Sequence, residues 1–283
     1  MKIAISGASG FIGRHLVKSL AQAGHSLCAL SRHAPASLAA ESLRESDVII
    51  HLAGEPVAQR WTAAAKQRIR DSRVVGTHSL VETLATLPRR PKALICASAI
   101  GYYGSRGDEI LTESSAPGSG FLPEVCVAWE REAQAAEAFG IRVVRVRIGV
   151  VLAAGGGALP RMLPPFRMGV GGRLGSGRQW MSWIHLEDLA ALFQWAVESQ
   201  VRGPLNAVAP NALTNSDFTR KLAHALRRPA VFPVPEFALR LLFGEMADVL
   251  LASQRVMPTA AEAAGFRFRF PQLASALAGL LTR

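Results

Sequence analysis

Three glycines, one serine, two tyrosines and a scatter of arginines are the residues of this chain whose types and spacing could do chemistry. Gly7, Gly10 and Gly13 sit in "GASGFIG", directly after the apolar run "KIAIS" and directly before "RHLVKSLAQAG", whose apolar positions follow a helical period. Strand, tight turn and helix are the expected result. In that setting the first glycine permits the turn, the second lets backbone amides approach a pyrophosphate, and the third lets the helix pack closely on the strand. Dinucleotide binding by Gly7, Ser9, Gly10, Phe11, Ile12 and Gly13 is the chemistry this predicts; a glycine-rich turn without a ligand is the plainer alternative.

The second group lies in "ICASAIGYYG", from Ile95 to Gly104. Ser98, Tyr102 and Tyr103 fall at the C-terminal end of a predicted central strand, where open α/β sheets bind ligands. One of these hydroxyls could pass a proton to a substrate carbonyl. The competing reading is that both tyrosines, the only two in the chain, pack the loop and shape the pocket. Glu113 could serve as a base or simply order its loop. Cys126 could be a reactive thiol, but no lysine or histidine adjoins it in sequence, which favours inertness. Trp183 and His185, with Asp188 close behind, either touch a substrate or hold a loop by hydrogen bonds. Arg161, Arg167, Arg173 and Arg178 stand among glycines and prolines and could clamp a phosphate, two of them facing only solvent. Arg173, Arg178, Trp183 and His185 are the substrate-binding candidates.

These residues need elements to hold them. Further apolar strands are expected at 26–30, 47–54 and 92–98, with a long helix from Thr62 to Leu87 ended by Pro88. A helix closed by Gly140 and a strand with its exit at 141–152 follow. Nearly continuous apolar strands alternating with helices predict an α/β fold, a doubly wound parallel sheet covered on both faces. Residues 1–152 read as a nucleotide-binding core and 153–283 as a smaller substrate or lid lobe, including a returning strand and C-terminal helices. Apolar residues at helical spacing in 237–256 read as core or as a lid over the cleft. The 16 residues from Ser31 to Ser46 are too few for a helix, a strand and a second helix, so the edge third strand is expected to be missing. After the second strand comes Ser31-Arg32-His33, with no acidic residue until Glu41. A guanidinium suits a 2′-phosphate, which favours NADP over NAD and makes Arg32 its contact; the alternative is that Arg32 is merely solvated.

With the glycine spacing go "HLAGEP" (51–56), "SRVVGTHSLVE" (72–82), "WIHLEDLA" (183–190), "LPPFRMGVGG" and "GSGRQWMSWIH". Together they resemble the short-chain dehydrogenase/reductase superfamily in its NAD-dependent epimerase/dehydratase branch, in an atypical subgroup often described as nucleoside-diphosphate-sugar epimerase or cell-division-inhibitor-like. The resemblance implies a Rossmann fold, a nicotinamide cofactor and a border to it formed by Leu52, Ala53, Gly54 and Glu55. It also implies a Ser and a Tyr-x-x-x-Lys pair, and here the chain departs from the pattern. Leu122 and Cys126 take the tyrosine and lysine positions, Ala99 stands where the serine is usual, and Arg73 stands where the pattern has Asn. Ser98 would need a strand bulge to face the same way as Ala99.

The net charge of +11 favours anionic partners, yet its basic runs are short, "RVVRVR" (142–147) among them, and read as solvated surface with a few anion contacts. No nucleic-acid-binding signature accompanies them, so nucleic acid is not an expected partner. Three cysteines in apolar contexts suggest neither disulfides nor a metal site and fit a cytoplasmic setting. Neither a cleavable signal nor an apolar span of about 20 residues is present, so no membrane role is expected. Monomer and homodimer stay open. Two functions follow: an NADP-dependent oxidoreductase or epimerase acting on a small, phosphorylated or nucleotide-linked substrate with non-standard acid–base groups, or a catalytically silent NADP-binding regulator.

Overall fold

The computed structural model describes residues 1–30 and 41–281. Arg32, the residue expected to choose the cofactor, lies outside them. Six strands build the central sheet: β1 (Lys2–Ser6), β2 (Ser26–Leu30), β3 (Val48–His51), β4 (Ala93–Ala99), β5 (Arg142–Ile148) and β6 (Gly203–Ala207). Their order is β6-β5-β4-β3-β1-β2 and every neighbouring pair is parallel. Among the described residues no strand pairs with the far side of β2; most of the stretch expected to lack the edge strand, 31–46, lies outside them. Exposure follows, since β2 shows side chains to solvent where β1, one position inward, buries all but its first residue.

Alternation of side chains in each strand feeds two cores. Ile3, Ile5, Val48, Ile50, Ile95, Val144 and Val146 face one side, against Leu16 and Leu20 of α1 (Phe11–Gln22). Ala4, Ile49, Leu94, Cys96 and Val143 face the other. There α2 (Ala63–Ala85) supplies Val81 and Leu84, and α3 (Phe121–Gln134) supplies Trp129 and Ala133. Both faces being apolar is why the strands read as near-continuous hydrophobic runs. The long helix starts where it does because Thr62 caps it, its side chain accepting from the Ala65 amide.

The apolar run that ends β5 splits. Val150–Ala153 leaves the main sheet and pairs in parallel with Trp183–His185, and in antiparallel fashion with Gly156–Gly157. The helices α4 (Leu159–Arg167) and α6 (Asn215–Leu226) pack over this smaller sheet. Between them in the chain, α5 (Leu186–Glu198) returns to the main sheet's first core and leads into β6. Arg255–Val256 pairs with Ile110–Leu111, tying the chain's last third to the loop after β4.

Candidate functional site

At the C-terminal edge of β1 the glycines form the strand, tight turn and helix that their spacing predicts. Gly7 turns at φ +74°, and a Cβ on it would lie 2.9 Å from the backbone of Leu52 and Ala53 at the exit of β3. A Cβ on Gly13 would drive into Gly7 O and Ala8, so only glycine lets α1 start this close to the strand. Gly10 caps α1 with no side-chain bond, and the first turn carries no acidic residue. The helix therefore presents amide donors and the positive end of its dipole without a competing partner, an arrangement with the chemistry to hold phosphate oxygens. Ser9 and Gly10 are exposed at its lip, and Phe11 packs its ring against Gly156 and Gly157 of the smaller sheet. Arg161 reaches the Ala58 carbonyl at 3.4 Å, so the segment after β5 folds over the loop after β3.

Behind the turn a buried chain of hydrogen bonds fixes β1, β3 and α2. Ser6 Oγ meets His51 Nδ1 at 2.6 Å, and His51 Nε2 meets Thr77 Oγ1 at 3.0 Å. Burial pushes the His51 pKa down to about 4, so the ring is neutral near pH 7. Just beyond, the Glu55 amide donates to Ser72 Oγ and its carbonyl accepts from Arg73 Nη1 at 2.9 Å. Leu52, Ala53, Gly54 and Glu55 thus lie where the glycine turn and α2 meet.

The exit of β4 departs from the expectation for Ser98 and Tyr103. Pairing of β4 with β5 runs in unbroken register from Ala93↔Arg142 to Ala99↔Ile148, so no bulge turns Ser98. Its hydroxyl is buried toward α3 and donates to Glu130 Oε1 at 2.7 Å. Arg147 grips the same carboxylate with two bonds of 2.8 Å and donates to Tyr103 Oη at 2.8 Å. Tyr103 Oη in turn donates to Asn206 Oδ1 of β6 at 2.8 Å. Tyr103 is 0% exposed, and burial pushes its phenol up to about 12 despite Arg147. With every polar atom spent inside the network and no face open to a substrate, Ser98 and Tyr103 leave the catalytic set; they brace β4, β5 and β6.

Tyr102 is different. It is half-buried, and the Arg147 guanidinium sits 3.5 Å from its ring centroid. Leu122 and Cys126, one turn apart on α3, lie 3.5 and 3.8 Å from where a Gly101 Cβ would stand. The helix face that would carry the tyrosine and lysine of the resembled pattern therefore does meet the strand exit, with an apolar side chain and a thiol in their places. Burial pushes Cys126 up to about 12, with Arg73 pulling the other way, so it is a protonated thiol.

The substrate-binding candidates separate. Trp183 is 0% exposed in the core of the smaller sheet, its indole donating to Asn211 O. His185 is buried, caps α5 by accepting from the Glu187 amide and stacks 3.9 Å from Phe270. Asp188 beside it accepts the amides of Arg269 and Phe270. In the "WIHLED" segment Trp183, His185 and Asp188 are thus engaged in packing and capping. Arg173 and Arg178 are exposed. Arg173 opens on a cavity of about 400 Å³ lined with Ser216, Thr219, Arg220, Ala223, Ala230, Val231 and Pro233, all from the chain's last third and none from the glycine turn.

Several contributors were missed in the sequence. Arg147 belongs to a run read as solvated, and Arg142 in that run donates to the Ala196 and Val201 carbonyls. A charged residue inside an otherwise apolar parallel strand was the available signal, because such a strand is covered on both faces. Glu130 and Asn206 gave no comparable signal, being set by contacts distant in sequence.

A family model described as the NAD dependent epimerase/dehydratase family matches residues 3–208. Another, described as a domain of unknown function (DUF1731), matches residues 234–280. The epimerase family protein Mb2239 of Mycobacterium bovis is 41% identical over 296 residues, covering 99% of this chain and 98% of that protein. The crystal structure of human epimerase family protein SDR39U1 (isoform 2) with NADPH superposes with a TM-score of 0.90 at 34% identity, over 99% of both chains. A nucleoside-diphosphate sugar epimerase from Corynebacterium glutamicum gives 0.82 at 37%, over 99% of this chain and 58% of that one.

Proposed function

From the premise that this chain belongs to the NAD dependent epimerase/dehydratase family, we propose that it binds NADPH across the exits of β1, β3 and β4 and serves as an oxidoreductase or epimerase-like enzyme. Its substrate is a small carbonyl or hydroxyl compound, phosphorylated or nucleotide-linked. The observation that carries the reading is the cradle at β1: glycines whose Cβ would strike backbone, opening on a helix start with no side-chain cap and no acidic residue. A similar chain that superposes along its whole length was solved with NADPH, and Arg32 supplies the cation for the 2′-phosphate. When bound, the dinucleotide provides the hydride chemistry. This chain's residues hold its phosphates, close the pocket floor with Gly101, Leu122 and Cys126, and present Tyr102, steadied by Arg147, as the remaining phenol able to hand over a proton. Arg173 and Arg178 are the cations left for a substrate phosphate.

A second reading rests on a specific observation. Ser98 and Tyr103 are consumed inside the fold, and Leu122 and Cys126 cannot do what a tyrosine and a lysine do. That favours a silent NADPH-binding regulator. The deciding experiment measures NADPH binding and then its oxidation over a panel of carbonyl compounds and nucleotide sugars. Turnover that falls roughly a hundredfold in Tyr102→Phe at unchanged NADPH affinity supports the enzyme. Tight binding with no turnover on any panel member leaves the regulator, and NADPH affinity unchanged relative to NADH in Arg32→Ala removes the NADP preference.

A further inference from the structure

Arg73 projects from α2 toward the exit of β3. Its Nη1 donates to Glu55 O at 2.9 Å and to Ile69 O at 3.1 Å. Its guanidinium carbon lies 5.2 Å from the Trp129 ring centroid of α3. On its other side, Cζ, Nη2 and Nη1 lie 3.2, 3.3 and 3.4 Å from where a Gly54 Cβ would stand. The group is thus wedged between α3 and the exposed Gly54 in the loop after β3, with Nη2 at the glycine's edge. Burial pulls its pKa down, offset in part by Cys126 and Glu55.

No carboxylate pairs with it among the described residues. Glu55 turns its carboxylate to Arg68 Nε at 3.6 Å and to Gln59. Glu130, one helical turn from Cys126, is held by Arg147 and approached by Arg145 at 3.8 Å. Asp71 is bonded to Gln67. Cys126 itself is a neutral thiol. A mostly buried guanidinium satisfied by carbonyls alone keeps its full charge in a poorly solvated place, and that charge acts on whatever next enters.

Sheet order decides which part of a dinucleotide that is. The pyrophosphate belongs at the β1 turn, the 2′-phosphate toward β2, and the other half toward β3 and β4. Arg73 lies on the β3 and β4 side, between Gly54 and the helix that meets Gly101.

We propose that Arg73 contacts the nicotinamide–ribose half of the bound dinucleotide and, as a fixed cation there, makes the site prefer the reduced cofactor to the oxidised one. The oxidised nicotinamide ring carries a positive charge and the reduced ring none, so the same guanidinium repels one and tolerates the other. Ribose hydroxyl oxygens take the Nη2 donor in both. The inference rests on the NADPH reading above and deepens it, since a pocket biased this way holds the reduced cofactor and releases the oxidised one more readily.

The test is equilibrium titration of NADPH, NADP⁺ and 2′,5′-ADP, which lacks the nicotinamide half, with wild type, Arg73→Lys, Arg73→Gln and Arg73→Met. Wild type should bind NADPH about fivefold or more tighter than NADP⁺. Arg73→Lys should keep the preference and weaken both. Arg73→Gln and Arg73→Met should bring the ratio close to one while 2′,5′-ADP affinity moves less than about twofold. Loss of 2′,5′-ADP binding in step with NADPH marks a merely structural arginine and overturns the proposal, as does an undiminished ratio in the neutral variants. Should they fail to fold, a wild-type ratio at or below one overturns it. A wild type that binds neither NADPH nor 2′,5′-ADP brings down the cofactor reading instead.

Discussion

Glu130 shows how a single buried charge ties the sheet to its helix. It is 4% exposed, accepts from Ser98 and holds Arg147 in a bidentate pair. Burial alone lowers the Arg147 pKa, but the bonds and charge of Glu130 outweigh it and hold that pKa above its usual value. Glu130→Ala leaves Arg147 buried without its counter-charge, and denaturant titration should show a loss of about 3–5 kcal/mol. Tyr103→Phe removes one member of the same network and should cost about 1–2 kcal/mol in that titration, with NADPH affinity unchanged. His51 predicts a pH dependence. Its native pKa is about 4 against an ordinary 6.5, so between those values the unfolded chain binds a proton that the native one refuses. Stability should therefore fall as pH drops through about 6.5 and level off near 4, by on the order of 3 kcal/mol. His51→Gln should flatten that limb in urea midpoints taken from pH 7 to pH 4.

Among the elements, the β1 turn and α1 are the most tightly specified. Gly13 and Gly24 make a controlled pair, because a Cβ at Gly13 collides with Gly7 O, whereas one at Gly24 meets nothing within 4 Å and suffers only from φ +82°. Gly13→Ala should push α1 off β1, costing about 1–3 kcal/mol and at least tenfold in NADPH affinity. Gly24→Ala should cost about 1 kcal/mol and leave the affinity alone. The region from 237 to 256 departs from a simple apolar helix. It forms α7 (Glu236–Phe243), a break at Gly244 and α8 (Ala247–Leu251). Leu239, Met246 and Ala247 face inward while Phe237, Leu241 and Leu242 are exposed. Glu245 in the break pairs with Lys66 of α2, which ties this segment of the chain's last third to the long helix.

At the scale of the whole molecule, the chain from Trp180 onward is stitched to the loop after β4 by many separate contacts. Trp180 donates to Asp108, Ser253 bonds Ser105 and Gly107, and Asn206 joins Tyr103 to the Met257 carbonyl. No described helix is long and apolar enough to cross a membrane. Binding NADPH to the native state alone should stabilise the fold by about 2.7 kcal/mol at a hundred times Kd, raising the melting temperature by several degrees. Calorimetry with and without NADPH checks this; an unmoved transition would count against the cradle as a binding site.

The sequence by itself determined the fold class and the strand–turn–helix at the glycines, because each is written in local spacing: three glycines after a strand and apolar runs alternating with helices. Membership of the NAD dependent epimerase/dehydratase family was legible in the resemblance of its motifs, from "HLAGEP" to "GSGRQWMSWIH". Only the tertiary structure decided which polar groups are free to act. Ser98 and Tyr103 look like half a catalytic pair until Glu130, Arg147 and Asn206 arrive from far along the chain and take up their hydrogen bonds. His185, named as a ligand contact, also caps α5 and stacks on Phe270. Arg73 reads as a departure from a pattern until its guanidinium turns up at Gly54. A side chain's type limits what it can do, but its partners, set by contacts dozens of residues away, fix whether anything of it is left over for chemistry.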